Sequence, residues 1–560
     1  MGAGASIARS ASYASLLLLL AYPLLCRYDF SRSTLWYYDF LSMNSSLPWV
    51  FLLIVGVSAV GLLRETDLRL PSVLAIAFAF SFGEVLTNYP MIWRDVFFHG
   101  SGVKVIINEG QVGAIWLSQG SGYPQTHPGF FLLWSIVTLL TGLGTFESNL
   151  LLLLPVAVTV MILLLVAIYR RLSIGIEKGA ALMAFALMNF NMNEFMFVHF
   201  NTRLLSLVYT LLFVVFLLIE EDDRRRVLGM LLAGCALVIS HVLNSLVSVG
   251  TLAIYSMFKS KRRSSAVLVL LCGALYVGWN IYAGYPMIRA GLPTFLNYYY
   301  VLFAMERIYA WSPAAAKPIP FFGLLLETWY KILLITLAPI SLYCAVSLRR
   351  QRRVRILAAY LLSAGAIYGI SFFSVLAWIS AHRGIIFASV ALASLPIMFF
   401  TSAAGKGSRR WRQRVVVAAI VILLIPQFIL VHEPPLARCG SVRSIAETSH
   451  FVMDHRNGQQ IASLNDFPIY YSFYEPSYEG YSLIKVEGSI SLKNVSEFLL
   501  TRQRGCLKIV DYRHVVDWGT ALGRTESYDQ ALREWNEEVY ARLRGRYNMI
   551  YATSYETIYV

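Results

Sequence analysis

The sequence predicts a polytopic α-helical membrane protein of about thirteen spans, followed by a C-terminal extracytoplasmic domain of mixed α/β type. Three observations predict it. Of 560 residues, 57% are hydrophobic and only 14% charged, against about 25% charged in a soluble chain. The charge is divided unevenly: residues 1–432 hold 33 Lys/Arg against 16 Asp/Glu, whereas residues 433–560 hold 14 against 16. The apolar runs of the first part are long enough to cross, or nearly cross, about 30 Å of hydrocarbon. An ordinary cytosolic enzyme is excluded. The net charge of +15 is no nucleic-acid signature, because the positive residues sit in short loops between apolar runs.

The expected spans fall at 11–26, 47–63, 70–89, 149–169, 179–197, 204–220, 227–242, 246–258, 265–285, 322–346, 356–378, 384–402 and 415–432. The short pair 227–242 and 246–258 is read as a tight helical hairpin. The first run is read as a span and not a cleaved signal peptide, since no small-x-small pattern follows it. Basic residues cluster in alternate loops, at 170–178, 224–226, 259–263, 349–355 and 406–414. Loops of that parity hold 23 Lys/Arg and the opposite loops 9. By the positive-inside rule the N-terminus is cytoplasmic and the domain 433–560 lies outside the cell membrane. These basic loops read as topology determinants and nothing more.

Residues 128–142 are apolar but short, and counting them as a span would put Arg170 and Arg171 outside. They are therefore expected to form an interfacial or re-entrant helix within an outer loop at 90–148. Two sequons, at Asn44 and Asn494, fall in segments placed outside. Cys439 and Cys506 are the only cysteine pair in the outer domain, where a disulfide is permitted. No Cys or His spacing resembles a zinc site.

Polar residues beside spans are costly and are the candidates for function. They fall on the outer side. The loop after span 70–89 carries Arg94, Asp95, His99, Lys104, Glu109 and His127. Later outer turns carry His199, Asn201 and Arg203, then His241 and Asn244, then Arg289, Glu306 and Arg307, and finally His382 and Arg383. Asp95 and His99 share a face at i, i+4 if the segment is helical. A carboxylate at the headgroup level can serve as general base towards an acceptor hydroxyl, or it can cap the loop helix and pair with Arg94 or His99. Arg203, Arg307 and Arg383 suit a phosphate, which guanidinium groups bind with paired hydrogen bonds; each could equally snorkel to headgroups. Glu84 and Lys331 lie within spans.

The stretches WRDVFFHGSGVKVIINEG and YPQTHPGFFLLWSIVTLLTG resemble the GT-C superfamily of polytopic glycosyltransferases, which includes the protein O-mannosyltransferases and the oligosaccharyltransferase catalytic subunits. In that superfamily a long outer loop opens with an acidic residue and forms juxtamembrane helices. His127-Pro128 is similar to the His-Pro-Pro of the O-mannosyltransferases, although Gly129 replaces the second proline. The closing NMIYATSYETIYV is similar to a β-hairpin of archaeal members. Two features depart from the family: three spans precede the loop instead of one, and no Trp-Trp-Asp tripeptide is present.

The resemblance implies transfer of a sugar from a polyprenyl-phosphate donor of the dolichyl-phosphate type to a protein, glycolipid or polymer acceptor on the outer face. It implies Asp95 as base, with His99 in the catalytic pair. Arg203 and Arg383 would hold the lipid phosphate, with Arg307 and Lys331 in support. Arg94, His127 and Glu109 would contact the acceptor or shape the loop. Phosphate is a good leaving group, so no paired carboxylates of the glycosidase kind are needed, and a single displacement inverts the anomeric centre. Some relatives use a divalent metal (Mg or Mn), but Asp95 with a distant Glu109 or Glu84 makes a poor hard-cation site, and no metal ligand is assigned.

In 433–560, strand character is expected at 461–475, 480–488, 506–512 and the closing hairpin, and an amphipathic helix at 528–547. Two other classes compete with the enzyme: a lipid or sugar transporter or flippase, and a non-catalytic membrane scaffold. Transporters tend to show internal repeats and midplane charge, and neither feature stands out here.

Overall fold

In the computed structural model the described residues are 94–110, 127–174, 177–189, 200–219, 224–258, 263–283, 336–373 and 382–403. To these are added parts of 70–81 and 448–454 and five strands between residues 460 and 559. The expected spans 11–26, 47–63 and 415–432, the sequons, Cys439 and the helix expected at 528–547 lie outside them. So do Glu84, His199, Arg289, Glu306, Arg307 and Lys331.

Eleven labels suffice for the helices used below. They are α1 (Arg94–Glu109), α2 (Gly129–Thr141), α3 (Thr145–Arg171), α4 (Glu177–Asn189), α5 (Thr202–Leu217) and α6 (Arg224–Ser240). The others are α7 (Val242–Met257), α8 (Arg263–Tyr282), α9 (Thr336–Ser347), α10 (Arg352–Phe373) and α11 (His382–Ala403). At 27 residues α3 is about 40 Å long at 1.5 Å per residue, and it is the described helix that is both long and apolar enough to cross a bilayer. The expected tight hairpin is present: only His241 separates α6 from α7.

The helices pack side by side. α3 lies against α4 and α5, α5 against α6, α7 against α10, α10 against α11, and α11 against α4, while α8 covers α6 and α7. Small polar residues tie them. Ser363 Oγ on α10 donates to the Val247 carbonyl of α7 at 2.9 Å, and Ser341 Oγ on α9 donates to the Leu392 carbonyl of α11 at 3.3 Å. A Cβ at Gly250 would overlap Ser363 Oγ, so glycine lets α7 and α10 approach closely, as small residues do between membrane helices. The opposite faces stay apolar and uncovered by protein: Val156, Val160 and Leu163 on α3, Leu228 and Leu232 on α6, and Leu270, Val277 and Ile281 on α8. Contiguous apolar faces of this kind suit lipid rather than water.

The basic ends of the helices meet at one end of the bundle, and there the structure corrects the expectation that they only set topology. Arg352, at the start of α10, donates from Nε to the Tyr255 hydroxyl at 3.2 Å. Its Nη2 donates to the carbonyls of Leu217 at 3.1 Å and Ile219 at 2.7 Å. Arg355 Nη1 donates to the Phe258 carbonyl at 2.8 Å, and Arg353 bonds the Ser173 hydroxyl. The last carbonyls of a helix have no intrahelical donor. Arginines of the first turn of α10 supply donors at and just beyond the ends of α5 and α7, where the helix dipole also favours a cation.

In the C-terminal part, β1 (Gln460–Leu464), β2 (Lys485–Val486), β3 (Cys506–Asp511), β4 (Met549–Ala552) and β5 (Glu556–Tyr559) form one mixed sheet in the order β2-β1-β3-β5-β4. β1 pairs in parallel with β2 and β3. β5 runs antiparallel to β3 and closes a hairpin with β4, with a register shift between Met549 and Tyr551. β1 overlaps the run 461–475 and β2 falls in the run 480–488 that forecast them, and the remaining residues of those runs lie outside the described residues.

Candidate active site

The site builds from α2. Its sequence places aromatic and hydroxyl residues on one face and leucines on the other. Phe130, Phe131, Trp134, Ser135 and Thr138 are buried, while Leu132, Ile136, Leu139 and Leu140 are exposed. The buried face meets four elements. Phe130 and Phe131 hold the ring of His99 on α1 edge-on, at centroid distances of 5.4 and 5.3 Å. Phe130 also lies 5.2 Å from the ring of Phe200, just before α5. The Trp134 indole donates to the Thr145 carbonyl at 2.9 Å and to the Ser148 hydroxyl at 3.1 Å, and Thr138 shares a 2.7 Å bond with Ser148. At the start of the helix, a Cβ on Gly129 would sit 2.8 Å from Ser240 Oγ at the end of α6.

The start of α2 thus meets the residue before α5 and the end of α6, and its later turns meet the start of α3. The helix lies across the bundle end opposite the arginine loop. The start of α3 supplies the next layer. Residues Ser148–Leu153 are π-helical, with the Leu154 amide bonding the Asn149 carbonyl. Pro155 follows directly, lacks an amide, and its ring crowds the carbonyl four residues earlier, so the turn before it widens. Asn149 is fully buried there. Its Nδ2 donates to the Phe200 carbonyl at 2.8 Å, and its Oδ1 accepts from the Phe200 amide at 2.9 Å.

Beyond Phe200, Asn201 caps α5 by accepting from the Leu204 amide at 2.8 Å. Arg203 then stands half-buried in the first turn. Asn244 on α7 donates to the Ser206 hydroxyl of α5, and His241 caps α7 through the Asn244 amide at 3.4 Å.

Asp95 and Arg94 lie on the first turn of α1, and Arg383 on the first turn of α11; the side chains of these three lie outside the described residues. Asp95 and His99 do share one helix at i, i+4, as expected. His99 is buried among rings, a position that braces α1 against α2. Glu109 closes α1 and is exposed, about 20 Å along the axis from Asp95 at 1.5 Å per residue. His127 is fully buried before α2, and burial pushes its pKa down to about 4, so the imidazole is neutral at pH 7. Lys104 is half-buried; burial lowers its pKa to about 8, against the pull of the Glu147 carboxylate. Among the described residues, no group of His, Cys, Asp and Glu could hold a metal ion.

Sequence reasoning had selected Asp95, His99, His127, Asn201, Arg203, His241 and Asn244, and of these the structure brings the described side chains to one end. It missed Asn149, Ser148 and Trp134. A polar pair heading a 20-residue apolar run, with Pro155 six positions on, was the available signal.

No protein-family model matches the sequence, and no curated protein matches it. Solved structures do. The crystal structure of ArnT from Cupriavidus metallidurans in the apo state is similar at 11% identity and TM-score 0.50, over 87% of this chain and 96% of that one. The same protein bound to undecaprenyl phosphate aligns with TM-score 0.49 at 11% identity, over 87% and 97%. The archaeal oligosaccharyltransferase AglB from Archaeoglobus fulgidus, in complex with an inhibitory peptide and a dolichol-phosphate, aligns with TM-score 0.48 at 12% identity, over 79% and 69%. At such identities the likeness speaks for the fold alone: the chain shares the fold of the apo ArnT structure.

Proposed function

We propose that the chain is a membrane glycosyltransferase that moves a sugar from a polyprenyl-phosphate donor to an acceptor on the outer face, with inversion. The observation that carries this reading is the convergence, at one end of a GT-C-type fold, of the α1 turn bearing Asp95 and the α5 turn bearing Arg203. One phenyl ring, Phe130, bridges the two elements through His99 and Phe200. The protein whose apo structure shares the fold is also known bound to undecaprenyl phosphate, which supports the lipid-phosphate class of donor. The arginine-rich end opposite agrees with a cytoplasmic location by the positive-inside rule, which supports a site on the outer side. The uncovered leucines of α2, lying across the helix ends, suit a helix resting in the membrane interface.

In the proposed reaction the Asp95 carboxylate takes the proton of the acceptor hydroxyl as its oxygen attacks the anomeric carbon. The bond from that carbon to the phosphate oxygen breaks, and the polyprenyl phosphate leaves with the electron pair. Arg203 and Arg383 stabilise the charge that develops on the phosphate, with Arg307 and Lys331 as further cations. His99 braces the α1 turn, and neutral His127 adds no charge to the acceptor side. If a divalent ion takes part, it would have to be held largely by donor phosphate and water, since Asp95 and Glu109 lie too far apart to chelate together.

The test is transfer from radiolabelled polyprenyl-phosphate hexoses in proteoliposomes, comparing wild type with Asp95→Asn. Label reaching an acceptor with wild type and falling at least a hundredfold in the variant supports both enzyme and base. Equal transfer removes Asp95 from the mechanism. No transfer with any donor by folded protein overturns the enzyme reading.

A further inference from the structure

We propose that Asn149 is the positioning residue for the donor phosphate: the π-helical turn at the head of α3 aims its amide at Phe200 and so fixes where the first turn of α5, with Arg203, stands. The assignment rests on the glycosyltransferase reading. In an ordinary α-helix a residue in the first turn of a long apolar span faces a neighbouring helix or lipid, and a carboxamide there would be a cost. Pro155 removes an amide and crowds the preceding turn, which opens to π geometry over Ser148–Leu153. π-turns are frequent at functional sites, and here the turn serves a visible purpose.

Asn149 meets Phe200 through both its donor and its acceptor, at 2.8 and 2.9 Å, across 51 residues of sequence and with no exposure to solvent. A two-point bond fixes orientation as well as distance. The next residue, Asn201, caps α5, and Arg203 follows two positions later. The backbone of Phe200 therefore has its amide and carbonyl held by α3 and its ring held by Phe130 of α2. The turn bearing Arg203 is thus held by α2 and α3. Phosphate recognition by a guanidinium at a helix N-terminus depends on such placement, because a paired hydrogen bond tolerates little misalignment.

The chemistry of the amide makes a specific test available. In Asn149→Asp the ionised carboxylate faces the Phe200 carbonyl with no proton to give. Once protonated, it again offers one donor and one acceptor in the same shape. Asn149→Leu removes both bonds at every pH. Three measurements are made on full-length protein in nanodiscs: affinity for undecaprenyl phosphate alone, donor KM and kcat in transfer, and amide hydrogen exchange over residues 200–204.

At neutral pH, Asn149→Asp is expected to weaken undecaprenyl-phosphate binding and raise donor KM at least tenfold, with kcat within about threefold of wild type and faster exchange confined to 200–204. Lowering the pH towards 5 should recover the Asp variant relative to wild type at the same pH, while Asn149→Leu does not recover. Unchanged affinity in Asn149→Asp despite faster exchange would overturn the positioning role while leaving the enzyme reading intact. So would equal pH profiles for the Asp and Leu variants. Failure of wild type to bind undecaprenyl phosphate would overturn the donor reading and, with it, this assignment.

Discussion

The two ends of the helix bundle are built from different polar chemistry, although both are rich in residues that a hydropathy plot marks as loop. At the arginine end, guanidinium groups are consumed by protein. Arg352 bonds the Leu217 and Ile219 carbonyls and the Tyr255 hydroxyl, and Arg355 bonds the Phe258 carbonyl. At the α2 end, neutral amides, hydroxyls and aromatic rings do the joining, through Asn149, Ser148, Trp134 and Asn244, and the basic side chains are set into that frame one at a time. An arginine count would rank the first end as the better phosphate site. What the arginines of that end bond lowers that ranking: Arg352 and Arg355 are already spent on carbonyls at the ends of α5 and α7, and that charge is structural.

The comparison breaks most sharply with paired arginine substitutions. Arg203→Ala is expected to raise donor KM about 10- to 100-fold, the loss of one charge-assisted contact to phosphate of about 1.5–3 kcal/mol, with thermal stability nearly unchanged. Arg352→Ala should do the reverse, lowering stability by about 3 kcal/mol as carbonyls beyond α5 lose their donor, with donor KM within twofold. Transfer kinetics and thermal unfolding in the same detergent check both, and exchanged outcomes would invert the assignment of the ends.

A second test uses protons. His127 has a folded-state pKa near 4, below its unfolded value of 6.5, because burial disfavours the cation. Above pH 6.5 both states are neutral and His127 adds no pH dependence. As the pH falls from 6.5 to 4 the unfolded state binds the proton first, so stability drops, at up to about 1.4 kcal/mol per unit; below 4 this contribution levels off. His127→Gln should flatten that slope in unfolding measured across pH 4–7. Lys104 gives an effect of the same sign at alkaline pH. Its pKa near 8 lies below the unfolded 10.5, so its contribution to stability rises between pH 8 and 10.5. Glu147→Gln removes the opposing carboxylate and should move the Lys104 titration further down, read by NMR of methylated lysines.

The smallest change is expected within the bundle. Ser363→Ala should cost about 0.6 kcal/mol, the usual worth of an interhelical hydrogen bond in a membrane protein, and leave donor affinity and the pH slopes alone. A larger loss would mean that the α7–α10 contact at Val247 carries more of the fold than its single bond suggests.

Much of this architecture was legible because apolar length and period are properties of the sequence itself. The runs 149–169, 204–220, 265–285 and 384–402 announced α3, α5, α8 and α11 to within a few residues. The short runs 227–242 and 246–258 announced a tight hairpin for the same reason, and the structure sets its tip at His241. The closing β-hairpin was expected from the strand-like character of NMIYATSYETIYV and its likeness to a hairpin of archaeal GT-C members. The polar residues were legible as a list, and their side of the membrane could be argued from charge parity. Their partners could not. Asn149 and Phe200 lie 51 positions apart, and Arg352 and Leu217 lie 135 apart; no local pattern links them.

The sequence by itself determined that this chain is a bundle of apolar helices, which elements it contains, and which residue types could handle a phosphate and a hydroxyl. Local energetics suffice for that, since hydrocarbon-length runs and helix period follow from neighbours in the chain. Only the tertiary structure decided which arginines are already bound to protein, that α2 lies across helix ends, and that a π-turn before Pro155 turns an apparent boundary residue into a clamp. Those outcomes depend on donors and acceptors meeting across the fold. A buried polar group must find a partner wherever the packing brings one.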